Sequence, residues 1–271
     1  MTDLPPDLIQ RDLPTAIVGH TIECYEQVGS TNDIARERAR AGHPQGLLVL
    51  AEEQVTGRGR LGRGWAAPPG SSLLMSLLLR PSWLPPADSF VLTMLASVAL
   101  CEAVEQVAQL QAALKWPNDL MLPARPAAAE LRKAAGILSE IELDGERIAW
   151  VTIGMGINVN WAPSGIVDGQ DLSQLATSVG AAAGRSIDRL ALLRALLTQL
   201  DMRYGWLRDG RREELFASWR GRLVMLGQPV TVRQPVGELH GVAEDVEPSG
   251  ALRVRDSAGV LHTVIAGDVG A

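Results

Sequence analysis

The densest chemistry in the chain lies in the run Gly57-Arg58-Gly59-Arg60-Leu61-Gly62-Arg63-Gly64-Trp65. Four glycines let a backbone come close to a ligand, and three arginines bring forked donors that match a phosphate or a carboxylate. Gly57 and Gly62 have the spacing of a phosphate-binding P-loop, yet Arg63 and Gly64 stand where that loop requires lysine and Ser/Thr. Pro68-Pro69-Gly70 also denies it the helix such a loop needs. One short copy in an acidic chain argues against an arginine–glycine nucleic-acid arm. A solvated basic turn is the plain alternative. The run predicts an anion-binding loop that stays mobile until it is filled, because its charges repel and its glycines are costly to order.

Lys115-Trp116-Pro117-Asn118-Asp119 comes next. It offers a cation to developing negative charge, and amide and carboxylate oxygens to Mg²⁺ or a nucleotide. An Asn-Asp turn closing a strand would be the bland explanation. Lysine usage tips the balance: of 25 Lys and Arg residues, only Lys115 and Lys133 are lysine. A codon bias toward arginine is the ordinary cause. A lysine kept under such a bias marks a place where a compact, tunable ammonium cannot give way to a guanidinium fork.

Three weaker signals complete the set. Lys133 to Glu140 reads Lys-Ala-Ala-Gly-Ile-Leu-Ser-Glu along a strand start, where a lysine is usually just solvated. Gly154-Met155-Gly156-Ile157-Asn158 lacks the third glycine of a dinucleotide fingerprint, and Pro163 blocks the helix that fingerprint needs. An amide such as Asn158 can still read an adenine edge with two hydrogen bonds. Ser30-Thr31-Asn32 is the usual chemistry of a helix cap, but the same hydroxyls and N–H groups hold small polar ligands. Gln54 can donate and accept at once, as a urea-like ring requires.

These residues need a frame. Ser30 or Thr31 caps a helix that Gly42 and Pro44 end, and strands follow at 46–53 and 72–80. Asp88 can cap a long helix over 89–110, with Leu92, Leu95, Ala99, Ala103 and Val107 facing a core. A strand begins at Leu114 and is interrupted by Pro117. Segments 135–143 and 147–158 form a hairpin, with Asp144-Gly145 supplying two positive φ values. Leu190, Leu193, Leu197, Leu200, Tyr204 and Leu207 share one helical face after a cap at Asp188, and a short helix covers 212–220. After Leu226, short alternating segments at 229–233, 241–246, 252–256 and 261–265 predict a small all-β module. Residues 1–20 read as an irregular lead-in, and 121–131 as a surface insertion.

Composition sets the outer limits. The chain has 271 residues, 46% of them apolar and 21% charged, which suits a folded core and not a disordered chain. A net charge of −6 is the wrong sign for a bulk binder of nucleic acid or anionic membrane. Cys24 and Cys101 are too few for a disulfide framework or a metal cluster. The apolar stretch 91–113 is broken by polar residues, and the first twelve residues lack the pattern of a signal peptide. The expectation is a soluble, cytoplasmic protein.

From about Tyr25 onward, the glycine–arginine loop ending in tryptophan, Lys-Trp-Pro-Asn-Asp, Lys-x-x-Gly-Ile-Leu-x-Glu and Gly-x-Gly-Ile-Asn together resemble the bacterial biotin–protein ligases. The resemblance implies an α/β (α+β) fold. Its mixed-sheet catalytic domain, at 21–222, is related to class II aminoacyl-tRNA synthetases, and an SH3-like β-barrel covers 223–271. It implies biotin and ATP as substrates with Mg²⁺, biotinoyl-5′-AMP as intermediate, and transfer to a lysine of a carboxylase's biotin carboxyl carrier domain. By the same resemblance, Ser30, Thr31, Asn32 and Gln54 hold biotin's ureido ring. Gly57, Arg58, Gly59 and Arg60 close over its carboxylate and ATP's phosphates, with Arg63 supporting the phosphates and Trp65 building the pocket. Lys115 and Asn118 lie at the nucleotide, Asp119 at the metal, Lys133 and Gly136 at biotin's carboxyl, and Asn158 at adenine. Arg58, Lys115 and Lys133 are the implied catalytic cations. About 20 residues precede the catalytic domain, too few for a helix–turn–helix, so DNA is not expected as partner; charge and the broken apolar stretch argue against a membrane, and a homodimer is left open. The alternatives are a lipoate or octanoyl ligase on a related fold, or a DNA-binding biotin sensor.

Overall fold

A computed structural model describes residues 4–167, 169–234 and 237–270. Seven strands form one mixed sheet: β1 (Thr21–Val28), β2 (Leu47–Gln54), β3 (Ser72–Leu79), β4 (Ala113–Lys115), β5 (Asp119–Pro123), β6 (Leu131–Asp144) and β7 (Arg147–Asn158). Their order is β1-β2-β3-β7-β6-β5-β4. β1 and β2 run parallel, and the remaining neighbours are antiparallel.

The core follows from β3. All of its residues are buried, as expected for a strand covered on both faces. Leu73, Met75, Leu77 and Leu79 point into the main core, while Leu78 joins a smaller one beneath α2 (Thr31–Arg40), whose Ala35 and Ala39 allow close approach. On the main-core side lies α3 (Phe90–Ala108), against the sheet and against α6 (Arg189–Arg208) and α7 (Arg212–Arg220). α3 is buried nearly all round, not along the single face expected from its spacing. It is long and apolar enough to cross a membrane, but it is a core helix. Leu92, Leu95 and Leu100 are fully buried, each contributing about 2 kcal/mol of hydrophobic stabilisation. The charges at the edge of this packing are paired: Arg203 Nε donates to Glu102 Oε2 at 3.0 Å, and Arg222 Nη2 to Glu105 Oε2 at 3.0 Å.

Several local expectations need correction. The lead-in is not wholly irregular: α1 (Pro6–Gln10) forms because Pro6 suits a first helical position and Ile9 finds a buried place against α6. Asp88 does not cap α3; it sits in the preceding 3₁₀ turn and accepts from Arg212, leaving Ser89 at the cap. In the β6–β7 hairpin Asp144 pairs with Arg147, so the loop is Gly145-Glu146 and Gly145 supplies the positive φ of 59°. The insertion is shorter than 121–131, because Met121 and Leu122 are buried in β5.

A two-stranded ribbon, β8 (Ile166–Val167) and β9 (Gln170–Asp171), leads into two short helices, α4 (Leu172–Leu175) and α5 (Val179–Ala183). The C-terminal strands are β10 (Pro229–Arg233), β11 (Glu238–Val246), β12 (Leu252–Arg255), β13 (Leu261–Val264) and β14 (Asp268–Gly270). They form an antiparallel sheet in the order β13-β12-β11-β10-β14, consistent with the SH3-like barrel, with β14 as a strand that sequence alone did not reveal. This module is locked to the large sheet. Leu114 N donates to Arg222 O at 2.8 Å and Val224 N to Leu114 O at 3.0 Å, so the chain joining the modules covers the β4 edge. Trp116 Nε1 donates to Gly250 O at 2.8 Å. Gly250 has φ +91°, and a Cβ there would fall 2.0 Å from the Phe90 ring, so only glycine fits.

Candidate active site

The N-terminus of α2 rests on the middle of β3, and the two meet in polar contacts instead of apolar ones. Ser30 is the N-cap residue, yet its side chain makes no capping bond. Gln54 does the capping: its Oε1 accepts from Thr31 N at 2.7 Å and lies 3.0 Å from Thr31 Oγ1. Its Nε2 amine then lies beside Gly57. Below them Ser76, fully buried on β3, places its Oγ 2.6 Å from Asn32 Oδ1 and 2.8 Å from Thr31 Oγ1. Asn32 Nδ2 donates to Glu140 Oε2 at 3.0 Å and to Leu138 O at 3.3 Å.

Strand glycines make the floor. Ser76 pairs with Gly154, and Gly156 with Gly136, so positions without side chains adjoin across β6 and β7. A Cβ on Gly154 would lie 2.5 Å from Asn32 Oδ1, and one on Gly156 2.4 Å from the Trp65 ring. On Gly136 it would be 3.3 Å from Lys133 Nζ and 3.4 Å from Trp65. Glycine weakens a strand, and here it makes room for another group's close approach.

Over this floor folds the glycine–arginine loop. Gly59 N donates to Arg63 O at 2.7 Å and Trp65 N to Gly57 O at 2.9 Å, with Leu61 left-handed at the tip. Each arginine meets a carboxylate. Arg58 donates to both oxygens of Asp33, at 2.6 and 3.0 Å, with Glu140 Oε1 at 3.9 Å. Those hydrogen bonds to Asp33 raise the pKa of the Arg58 guanidinium. Arg60 lies 3.6 Å from Asp268 and 3.4 Å from Asn118 Oδ1, and burial lowers its pKa. Arg63 pairs with Asp268 of β14. The loop expected to be self-repelling is thus tethered through protein carboxylates.

The two lysines meet at Asp119. Lys133 Nζ lies 2.7 Å from Asp119 Oδ1 and 5.6 Å from the centre of the Trp65 ring. Lys115 pairs in register with Asp119 at the end of β4. Burial lowers the Lys115 pKa, with Asp119 opposing that shift and Lys133 adding to it. The two ammonium groups act on each other electrostatically, Lys133 lowering the Lys115 pKa. Asp119 and the Asn118 amide oxygen are the oxygen donors at this point; no group of three or more His, Cys, Asp or Glu side chains placed to hold a metal ion occurs among the described residues.

Asn158, 1% exposed, donates from Nδ2 to Thr177 O at 3.0 Å, while its Oδ1 is buried without a partner. Trp65 Nε1 is likewise buried and unpartnered. Thr177 is a knot: its N donates to Lys133 O at 2.9 Å and its Oγ1 to Ala124 O at 3.3 Å, which ties the insertion to the site.

These groups surround a cavity of about 770 Å³. Every residue that the sequence marked as a site candidate lines it except Lys115, which stands behind Asp119. Sequence reasoning missed Ser76 and gave Glu140 no role. The available signal for Ser76 was a lone hydroxyl inside the apolar run Leu73 to Leu79.

The sequence profile of the Biotin/lipoate A/B protein ligase family matches residues 24–158, and that of the Biotin protein ligase C terminal domain matches 225–269. The chain is 33% identical to the Biotin--[acetyl-CoA-carboxylase] ligase of Mycobacterium tuberculosis, over 99% of this chain and 98% of that one. It is 32% identical to the Bifunctional ligase/repressor BirA of Bacillus subtilis, over 93% of this chain and 74% of that protein. Among solved structures, the biotin protein ligase from Aquifex aeolicus in complex with biotin and ATP superposes with a TM-score of 0.74, at 23% identity, covering 93% of this chain and 98% of that one.

Proposed function

The chain belongs to the biotin protein ligase family, and from that premise we propose how its cavity divides the work of the reaction. It is an ATP-dependent biotin–protein ligase. Biotin's carboxylate attacks the α-phosphorus of ATP, forming biotinoyl-5′-AMP and releasing pyrophosphate. The amine of an acceptor lysine then attacks the mixed anhydride, an amide forms and AMP leaves. No enzyme nucleophile takes part.

Two anions must approach each other in the first step, so the protein's task is positioning and charge neutralisation. The observation that carries the assignment of roles is one cavity joining a glycine-floored, amide-lined end to a cluster of cations. At the first end, Gln54 Nε2 and the Ser30 and Thr31 hydroxyls face the ureido ring, backed by Asn32. At the second, Lys133 meets the biotin carboxylate, with Gly136 giving room beside it. Arg58, Arg60 and Arg63 meet the phosphates, exchanging their protein carboxylates for the ligand's phosphate oxygens, and Lys115 adds its charge beside Asp119. Trp65 and the buried Asn158 Oδ1 accommodate the base; Asn158 offers an acceptor, which suits the exocyclic amine of adenine. Closure of the 57–64 loop keeps water from the anhydride.

Mg²⁺ fits as an ion carried mainly by phosphate oxygens, with Asp119 and Asn118 as its protein donors, since Mg²⁺ commonly binds through one or two carboxylates plus substrate phosphates. When bound it draws charge from the phosphates. We place the acceptor in the carrier domain of a carboxylase, the reaction in the cytoplasm, and the module boundary at 222/223. A lipoate-type ligase would leave the amide-lined end unused, because lipoate's dithiolane ring has no ureido N–H or carbonyl to bond.

The test is incubation with ATP, Mg²⁺, biotin and a carrier domain. Pyrophosphate release that requires biotin, with streptavidin-detectable label on the carrier lysine, is the expected result. Lipoate replacing biotin at equal rate would overturn it.

A further inference from the structure

Glu140 does not itself line the cavity, yet it contacts lining side chains from both of its ends. Its Oε2 accepts from Asn32 Nδ2 at 3.0 Å, and its Oε1 lies 3.9 Å from Arg58 Nη2. The Asn32 amide has only one workable orientation. Two acceptors, Leu138 O and Glu140 Oε2, face its NH₂, and the Ser76 hydroxyl faces its oxygen. An amide oxygen can only accept, so the single Ser76 proton is directed at Asn32 Oδ1, and the Thr31 hydroxyl, 2.8 Å away, gives its one proton to Ser76 Oγ. Gln54 Oε1, which can only accept, is held by Thr31 N at 2.7 Å. The chain Glu140, Asn32, Ser76, Thr31, Gln54 therefore sets which hydrogen-bonding atoms face the ligand ring. Gly154 leaves the space that Asn32 Oδ1 occupies, so the amide has room in this pose and little elsewhere.

We infer that Glu140 is a positioning residue for the ring subsite, acting through Asn32, and that its reach matters more than its charge. Arg58 is already held by both oxygens of Asp33, so the 3.9 Å contact is the lesser of the two. The inference rests on the ring-end assignment above, and turnover by the wild-type protein tests that assignment separately.

Three variants decide it. Glu140→Gln keeps an acceptor at the same reach without the charge; Glu140→Asp keeps the charge but withdraws it by one methylene; Glu140→Ala removes both. Steady-state pyrophosphate release is measured while biotin and ATP are varied in turn, with thermal midpoints recorded alongside. The expected result is a biotin KM raised about tenfold or more in Glu140→Ala and Glu140→Asp, within about threefold of wild type in Glu140→Gln, and an ATP KM unchanged in all three, a tenfold change being about 1.4 kcal/mol. Should Glu140→Ala fail to fold, the Gln and Asp pair carries the same comparison. Equal biotin KM in wild type and Glu140→Asp, or a Glu140→Gln enzyme as impaired as Glu140→Asp, overturns the inference. A wild-type protein without biotin-dependent pyrophosphate release would instead sink the functional assignment.

Discussion

The two ends of the cavity are built on opposite physical plans. At the ring end, buried hydroxyls and amides satisfy one another across β3, α2 and β6, over glycines that leave a fixed shape. At the anion end, the groups are long charged side chains on a loop, each tied to a carboxylate and partly solvated. The first end is specific because its buried polar network is costly to break. The second is adaptable, because exposed ion pairs contribute only about 0–1 kcal/mol each and are readily exchanged for a ligand's charges.

The contrast makes graded predictions. Lys133→Ala removes the cation that we place at the reacting carboxylate and should lower kcat for pyrophosphate release by about 10²- to 10³-fold, the usual loss for a group aimed at developing charge. A loss below tenfold would move the centre of charge stabilisation elsewhere. Next, Gly154→Ala pushes a methyl group into Asn32 Oδ1, a 2.5 Å contact, and should weaken biotin binding by about 10²-fold at every salt concentration, as calorimetry can measure. A salt-dependent loss would erase the distinction between the ends.

Lys115 offers a pH test. Burial lowers its pKa, so the ammonium loses its proton at a lower pH than a free lysine does, and kcat should fall along the alkaline limb. Lys115→Arg stays charged and should flatten that limb even if its plateau is lower. Profiles that coincide in shape would exclude Lys115 as the titrating cation. The smallest effect belongs to Asp268→Asn. It loosens Arg60 and Arg63 without touching the ring end, and should change the ATP KM only a few-fold, with the difference from wild type shrinking as salt is raised.

Much of this was legible in the sequence, for identifiable reasons. Helices with a strong cap, such as α6 after Asp188, stand where the pattern puts them, because Asp188 Oδ1 accepts from Leu190 N and Ala191 N. The short motifs were legible because they concentrate unusual residues. What was not legible depends on contacts between distant segments. Asp88 resembles a cap, but a cross-chain partner, Arg212, claims it. Asp268 carries no local signal and Ser76 only that of a lone hydroxyl in an apolar run, since each matters for what the fold brings beside it. The glycines at 154 and 156 fall in a strand that the sequence marks, and only the cross-strand pairing reveals them as a floor.

Hydrogen exchange, followed by mass spectrometry with and without biotin plus ATP, tests this division most directly. Amides in the 57–64 loop should gain strong protection when both ligands bind, while those of β3 and the first turn of α2 should be protected already and change little. A loop equally protected without ligands, or a β3 that becomes ordered only on binding, would contradict a prebuilt ring end facing an exchangeable anion end.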